Sequence, residues 1–151
     1  MKRIILVDDN HYKGWDVLFK HIIKDIYGDL VEYSYVDFLN KTESQIHVEL
    51  DKLFRSANED TIFILDNQLG LSLTGLDYLK LYKINAILNT ADSIGFEAAK
   101  NGALFYMMKD NPSNPMSNEE LKNMMILFHK TIIKHFRFIP ELIWLVYNKL
   151  N

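Results

Sequence analysis

Unbroken apolar runs alternate along this chain with stretches whose apolar positions recur at intervals of three and four. The first run, Ile4-Ile5-Leu6-Val7, has no polar residue interleaved, the pattern of a strand buried on both faces of a parallel sheet, and it stops at Asp8-Asp9-Asn10. From Trp15, the residues Leu18, Phe19, Ile22, Ile23 and Ile26 fall on one helical face, closed by Gly28. Residues 31–38 alternate as a strand. Residues 44–55 place Ile46, Leu50, Leu53 and Phe54 at helical spacing, with Thr42 or Ser44 as the N-cap. Residues 61–65 form the next buried strand and end at Asp66.

The second half repeats the alternation. Residues 76–82 predict a short helix, 84–88 a fourth strand ending near Thr90, and 93–100 a helix stopped by Gly102. Residues 103–108 predict a fifth strand ending at Lys109, and 110–117, with Pro112 and Pro115, a loop. A long helix starts at Asn118, with Glu119 and Glu120 in its first turn, and runs to about Phe136. Pro140 opens a last helix through Leu150.

Five strands alternating with helices predict an α/β fold, a doubly wound five-stranded parallel sheet whose ligands bind beyond the carboxyl ends of the strands. Asp8, Asp9, Asp66, Thr90 and Lys109 all fall there, at the ends of the first, third, fourth and fifth strands, and right-handed crossovers bring those ends to one edge. Three converging carboxylates repel one another unless a cation shares the site. Mg²⁺ is suited to this, because it takes one or two carboxylates together with water and phosphate oxygens. Lys109 adds a positive charge and Thr90 a hydroxyl, the groups that phosphoryl transfer needs around it, and a carboxylate can itself be the nucleophile.

Composition narrows the class. The 151 residues, 48% of them hydrophobic, fit a single domain with a real core, and the absence of cysteine excludes disulfides and thiolate chemistry. A net charge of -3 gives no overall basic field, so direct nucleic-acid binding has no support. Acid sits early and base late: residues 1–75 hold 8 Lys+Arg against 13 Asp+Glu, and residues 76–151 hold 9 against 7. The N-terminal apolar run is too short for a signal peptide and the later ones too short for a bilayer, so the expectation is a cytoplasmic protein with no membrane contact.

The acidic pair in IILVDDN, the strand end in IFILDNQLG, the Thr-Gly in LTGLDYL, Thr90-Ala91 in ILNTAD and Lys109 in NGALFYMMKD occur in order, each at its strand end. Together they resemble a response-regulator receiver domain of two-component signalling, over residues 2 to about 136. The resemblance implies the flavodoxin-like receiver fold over 1–137, with 138–151 as a C-terminal helical extension. It implies that Asp66 accepts a phosphoryl group from a histidine kinase or phosphotransfer protein. It further implies that Asp8, Asp9, Asp66 and the backbone carbonyl of Gln68 hold Mg²⁺, and that Thr90 and Lys109 hold phosphoryl oxygens. Tyr106 matches the aromatic switch position. Asp110 stands where receivers usually carry a proline, and the short span from Gly75 to Thr90 predicts an irregular sheet there.

Several features have plainer readings. Asp8-Asp9 alone is a polar strand-end turn, Lys109 alone a solvated residue beside Asp110, and Tyr106 alone ordinary edge packing. The histidines His11, His21, His47, His129 and His135 have no metal-ligand spacing and read as surface or helix-face residues, with His11 placed to affect acyl-phosphate hydrolysis. The basic run 129–137 reads as a charged helix face, Asp77 and Asp92 as surface residues, and Asp92 also lies near the site mouth. The apolar tail 139–150 must be covered, by its own domain or by a homodimer or partner. The functional expectation is a receiver signalling to a downstream protein, not a turnover enzyme. A degenerate, phosphate-independent scaffold is the alternative, and a phosphohydrolase the third reading, for which no general acid or base declares itself.

Overall fold

A computed structural model describes residues 1–9, 14–109 and 115–151. Strands β1 (Lys2–Val7), β2 (Val31–Val36), β3 (Thr61–Leu65), β4 (Ala86–Thr90) and β5 (Phe105–Met108) form one parallel sheet in the order β2-β1-β3-β4-β5. The helices among the described residues are α1 (Gly14–Tyr27), α2 (Glu43–Ser56), α3 (Gly75–Tyr82), α4 (Gly95–Lys100), α5 (Asn118–Phe136) and α6 (Leu142–Leu150). This is a doubly wound, flavodoxin-like fold. The chain steps outward from β1 to β2, then returns past β1 to β3, so the winding reverses between β1 and β3.

Strand alternation divides the core. Ile4, Leu6, Ile62, Ile64, Ile87 and Met107 face α1 and α5, while Ile5, Val7, Phe63, Leu65, Ala86 and Leu88 face α2, α3 and α4. Because both faces are covered, the middles of β1, β3 and β4 carry apolar side chains, with Lys2, Arg3 and Thr61 confined to the amino ends. Helix starts are chemically defined. Thr42, Thr74 and Ser117 each accept from a backbone N–H three residues on, and Gln45, Asp77 and Glu120 each reach back to close a capping box. Asp77 is therefore a helix-start residue rather than a bare surface charge.

The short span before β4 does not make the sheet irregular: β3 and β4 pair in continuous parallel register from Phe63↔Ala86 to Leu65↔Leu88. An eight-residue α3 ending at Lys83, in the left-handed conformation at φ 50°, is enough to cross back. Much of the predicted loop 110–117, with Asp110 and Pro112, lies outside the described residues, as does His11.

The tail divides its surface. Val146 is 1% exposed and joins the α1/α5 core, Phe138 packs on Tyr27 and Phe136, and Lys149 pairs with Asp25 at 3.2 Å. Ile139, Trp144 and Leu145 remain exposed. No helix among the described residues is long and apolar enough to cross a membrane.

A second expectation is overturned: His129 is not on the surface. It is 2% exposed, and its Nδ1 shares a 2.8 Å hydrogen bond with the Tyr27 hydroxyl. The charged face of 129–137 is carried by exposed Lys130, Lys134 and Arg137, while Ile132, Ile133 and Phe136 are buried with His129. The apolar period of α5 runs through the basic run and turns this histidine inward. Burial pulls the His129 pKa down to about 4 from 6.5. The unfolded chain takes up this proton near pH 6.5 and the folded chain only near pH 4. The associated stability is therefore whole above pH 6.5 and is lost as pH falls toward 4, by roughly 3 kcal/mol in all. Urea midpoints should fall through that window, and His129→Gln, which keeps an acceptor for Tyr27, should flatten the slope. An unchanged slope in that variant would assign it to other groups.

Candidate functional site

The reversal of winding lies between β1 and β3, and their register, Val7↔Leu65, sets Asp8 beside Asp66. The ladder continues past β3, with the Asp66 N–H donating to the Val7 carbonyl at 3.0 Å. Asp8 follows Leu6 by two residues and Asp66 follows Ile64 by two, so both carboxylates emerge on the α1/α5 side of the sheet. Both are buried, and Asp9 is half-buried. Carboxylate oxygens of Asp8, Asp9 and Asp66 lie within 4.8 Å of one another.

Lys109 reaches the same point from β5. Its N–H donates to the Thr90 carbonyl at 2.9 Å, extending that ladder too, and its Nζ donates to Asp8 Oδ2 at 2.9 Å and to Asp66 Oδ2 at 2.8 Å. The ammonium also stands 5.4 Å from the centre of the Trp15 ring at the start of α1, a cation–π contact. Burial pushes the Asp8 carboxyl up, the Lys109 hydrogen bond and charge pull it back, and the charges of Asp66 and Asp9 add to the rise, which is the net result. For Lys109, burial acts downward, but hydrogen bonds to Asp66 and Asp8 and their charges prevail, so its pKa is raised and it stays charged.

The loops around the site are held by backbone and amide contacts. A Cβ on Gly75 would meet the Asp66 carbonyl oxygen at 2.1 Å, so the Thr-Gly pair at the start of α3 requires glycine to close on the strand end. Gly70, at φ 65°, turns the loop back over Asp9, whose Oδ2 would stand 3.0 Å from an added Cβ. The Gln68 N–H donates to Asp66 Oδ1 at 3.3 Å. Asp92 Oδ2 accepts from Asn67 Nδ2 at 2.7 Å and Gln68 Nε2 at 2.8 Å, which ties the loop after β3 to the loop after β4.

Thr90 is fully buried, and its Oγ1 accepts from the Asp92 N–H at 3.2 Å. The Tyr106 hydroxyl donates to the Asp92 carbonyl at 2.5 Å, with its ring against Gly95, where an added Cβ would stand 3.0 Å away. Asp8, Asp9, Asp66 and Lys109 thus converge directly. Gln68, Thr90 and Tyr106 surround them through Asp92, which sequence reasoning placed near the site mouth without its bonds.

Sequence reasoning missed Trp15, Asn67 and Asn89. Trp15 carries no signal beyond its place on the apolar face of α1. Asn89 does carry one, as a polar residue inside the buried strand β4. It is 2% exposed, and its Nδ2 has no hydrogen-bond partner among the described residues, an arrangement that costs about 1–3 kcal/mol.

Three carboxylates at this spacing fit a hard divalent cation that takes carboxylate oxygens and fills its remaining positions with water. No protein-family model matches the chain, and no curated protein matches it. Among solved structures, it is similar to a response regulator receiver protein from Burkholderia phymatum, at 17% identity. The match covers 92% of this chain and 98% of that one, with a TM-score of 0.49.

Removing the Lys109 charge leaves Asp8 and Asp66 buried side by side. Lys109→Met should destabilise the fold at pH 7 by roughly 3 kcal/mol. The loss should shrink as pH is lowered and the Asp8 carboxyl, held above its ordinary pKa by burial, takes up its proton, measured by urea unfolding at neutral and at acidic pH. An equal loss at both would show that the lysine does not act through these carboxylates.

Proposed function

We propose that this protein is a phosphorylation-controlled signalling receiver that takes a phosphoryl group on Asp66 and signals through protein contacts. The observation that carries the reading is the Lys109 ammonium bridging Asp8 and Asp66 at the point where the sheet reverses its winding. An Asp66 oxygen attacks the phosphorus of a phosphohistidine on a histidine kinase or phosphotransfer protein. The new O–P bond forms as the N–P bond breaks, and the imidazole nitrogen keeps the electron pair. Asp8, Asp9, Asp66 and the Gln68 carbonyl would hold Mg²⁺, which supplies charge neutralisation at the phosphoryl oxygens. Lys109 moves from the carboxylates to those oxygens, and Thr90 turns its hydroxyl toward them. Water later cleaves the O–P bond and restores the carboxylate, so the chemistry is confined to the protein's own side chain, without turnover of a separate substrate.

The route outward runs through Thr90 and Asp92. Thr90 Oγ1 and the Tyr106 hydroxyl contact the backbone of the same residue, Asp92, so a shift of Thr90 alters the contact that holds the Tyr106 ring. The degenerate-scaffold reading draws on one feature: Lys109 already satisfies Asp8 and Asp66 without a metal. Intact mass after incubation with Mg²⁺ and acetyl phosphate separates the two. The receiver reading expects a gain of one phosphoryl mass, absent in Asp66→Asn; no gain, from acetyl phosphate or from a phosphohistidine donor, favours the scaffold.

A homodimer through the C-terminal helices belongs to the same proposal, supported by exposed Ile139, Trp144 and Leu145 beside a helix that is otherwise docked. Sedimentation should show a dimer that Trp144→Glu converts to monomer while leaving buried Val146 untouched. A monomeric wild type at high concentration removes it.

A further inference from the structure

The Asn89 Nδ2 is buried with no hydrogen-bond partner among the described residues, and its place in the sheet gives it an address. The register Leu65↔Leu88, extended by one residue, sets Asn89 next to Asp66, and Asn89 itself pairs with Met107. Since Val7↔Leu65 likewise sets Asp8 next to Asp66, the four residues Asp8, Asp66, Asn89 and Met107 form one row across β1, β3, β4 and β5. They also share a face. Leu6, Ile64 and Ile87 all belong to the α1/α5 core, and Asp8, Asp66 and Asn89 each follow one of them by two residues, with Met107 in that core directly. Neighbours in such a row stand ~5 Å apart. Asn89 is therefore the residue flanking Asp66 on the side opposite Asp8, in the position that an apolar residue would fill if packing alone decided it.

The free protein gives this amide no work, because Lys109 holds Asp66 Oδ2 and the Gln68 N–H holds Oδ1. Loading Asp66 changes that. Once Lys109 leaves for the oxygens of the incoming group, Asp66 loses a donor, and the buried N–H left without a partner among the described residues, next to Asp66 in the same row, is that of Asn89 Nδ2. We infer that Asn89 is a positioning residue of the phosphoryl site, idle in the free protein and donating to Asp66 when the carboxylate is loaded. The inference rests on the receiver reading and deepens it. It explains why an amide with an unpaired donor is kept in the middle of a buried strand: the same group that weakens the free state strengthens the loaded one.

The two effects have opposite signs, which gives the test. Wild type, Asn89→Leu, close in volume with no donor, and Asn89→Thr, which retains one, are compared as full-length protein. Beryllofluoride with Mg²⁺ serves as a stable mimic of a phosphoryl group on a carboxylate. Binding is followed by fluorescence of Trp15, which sits against the Lys109 ammonium, with Trp144→Phe in every variant to silence the other tryptophan. The expected result is a free-state thermal midpoint for Asn89→Leu at or above wild type, with beryllofluoride binding roughly tenfold weaker. Asn89→Thr should retain most of the affinity.

Equal affinity in wild type and Asn89→Leu overturns the inference and leaves the receiver reading standing. Lowered midpoints and equal loss of binding in both variants assign the residue to packing and also overturn it. A wild type that binds no beryllofluoride and takes no phosphoryl group on Asp66 removes the receiver reading, and this inference with it.

Discussion

Two carboxylates buried side by side at the end of a parallel sheet are the constraint around which this structure is organised. Asp8 and Asp66 are forced together by the register of β1 and β3, and desolvation together with mutual repulsion opposes the charge on Asp8. Lys109 is the local answer, a single ammonium bonded to both and raised in pKa by them. Its position depends on β5 continuing its ladder through the Thr90 carbonyl, and its charge is further covered by Trp15 from α1. The sheet edge, the first helix and the last strand are thus tied to one electrostatic problem.

The same arrangement couples the site to its surroundings. An ammonium that neutralises two buried carboxylates can move away only if those carboxylates find another partner. Asp92 gathers the neighbouring loops, holding Asn67 and Gln68 by its carboxylate and Tyr106 by its carbonyl. Small displacements near Asp66 therefore reach the edge of the sheet through short, identifiable contacts. Asn89 is the opposite case, a buried donor beside Asp66 with no partner among the described residues.

The fold was legible because strand burial and helix period are local properties. Thr61–Leu65 and Asn118–Phe136 lie where the apolar pattern predicts them, and the capping box at Thr42 follows from residue type and spacing. Errors arose where composition competed with period. His129 looked like part of a basic surface run, yet the helical period sets it against Tyr27 in the core. The expected irregularity between β3 and β4 assumed that a short α3 would disturb pairing, whereas eight helical residues suffice to return the chain in register.

The site divides in the same way. Acidic, hydroxyl and basic residues at successive strand ends are written in the sequence, and a doubly wound sheet leaves them few places to meet other than one edge. That Asp8, Asp9, Asp66 and Lys109 could form a common site was therefore a matter of sequence. Which of them bond was not, because the 2.8 Å and 2.9 Å contacts of Lys109 depend on strand register and on a side chain reaching back across the sheet. Nor could sequence distinguish Asn89 from any polar residue near a strand end. Its row beside Asp66, its face and its missing partner exist only after non-local pairing has set three strands side by side. Local pattern determined which elements form and which chemistry stands at their ends, and tertiary packing decided which charges are desolvated together and therefore which must answer one another.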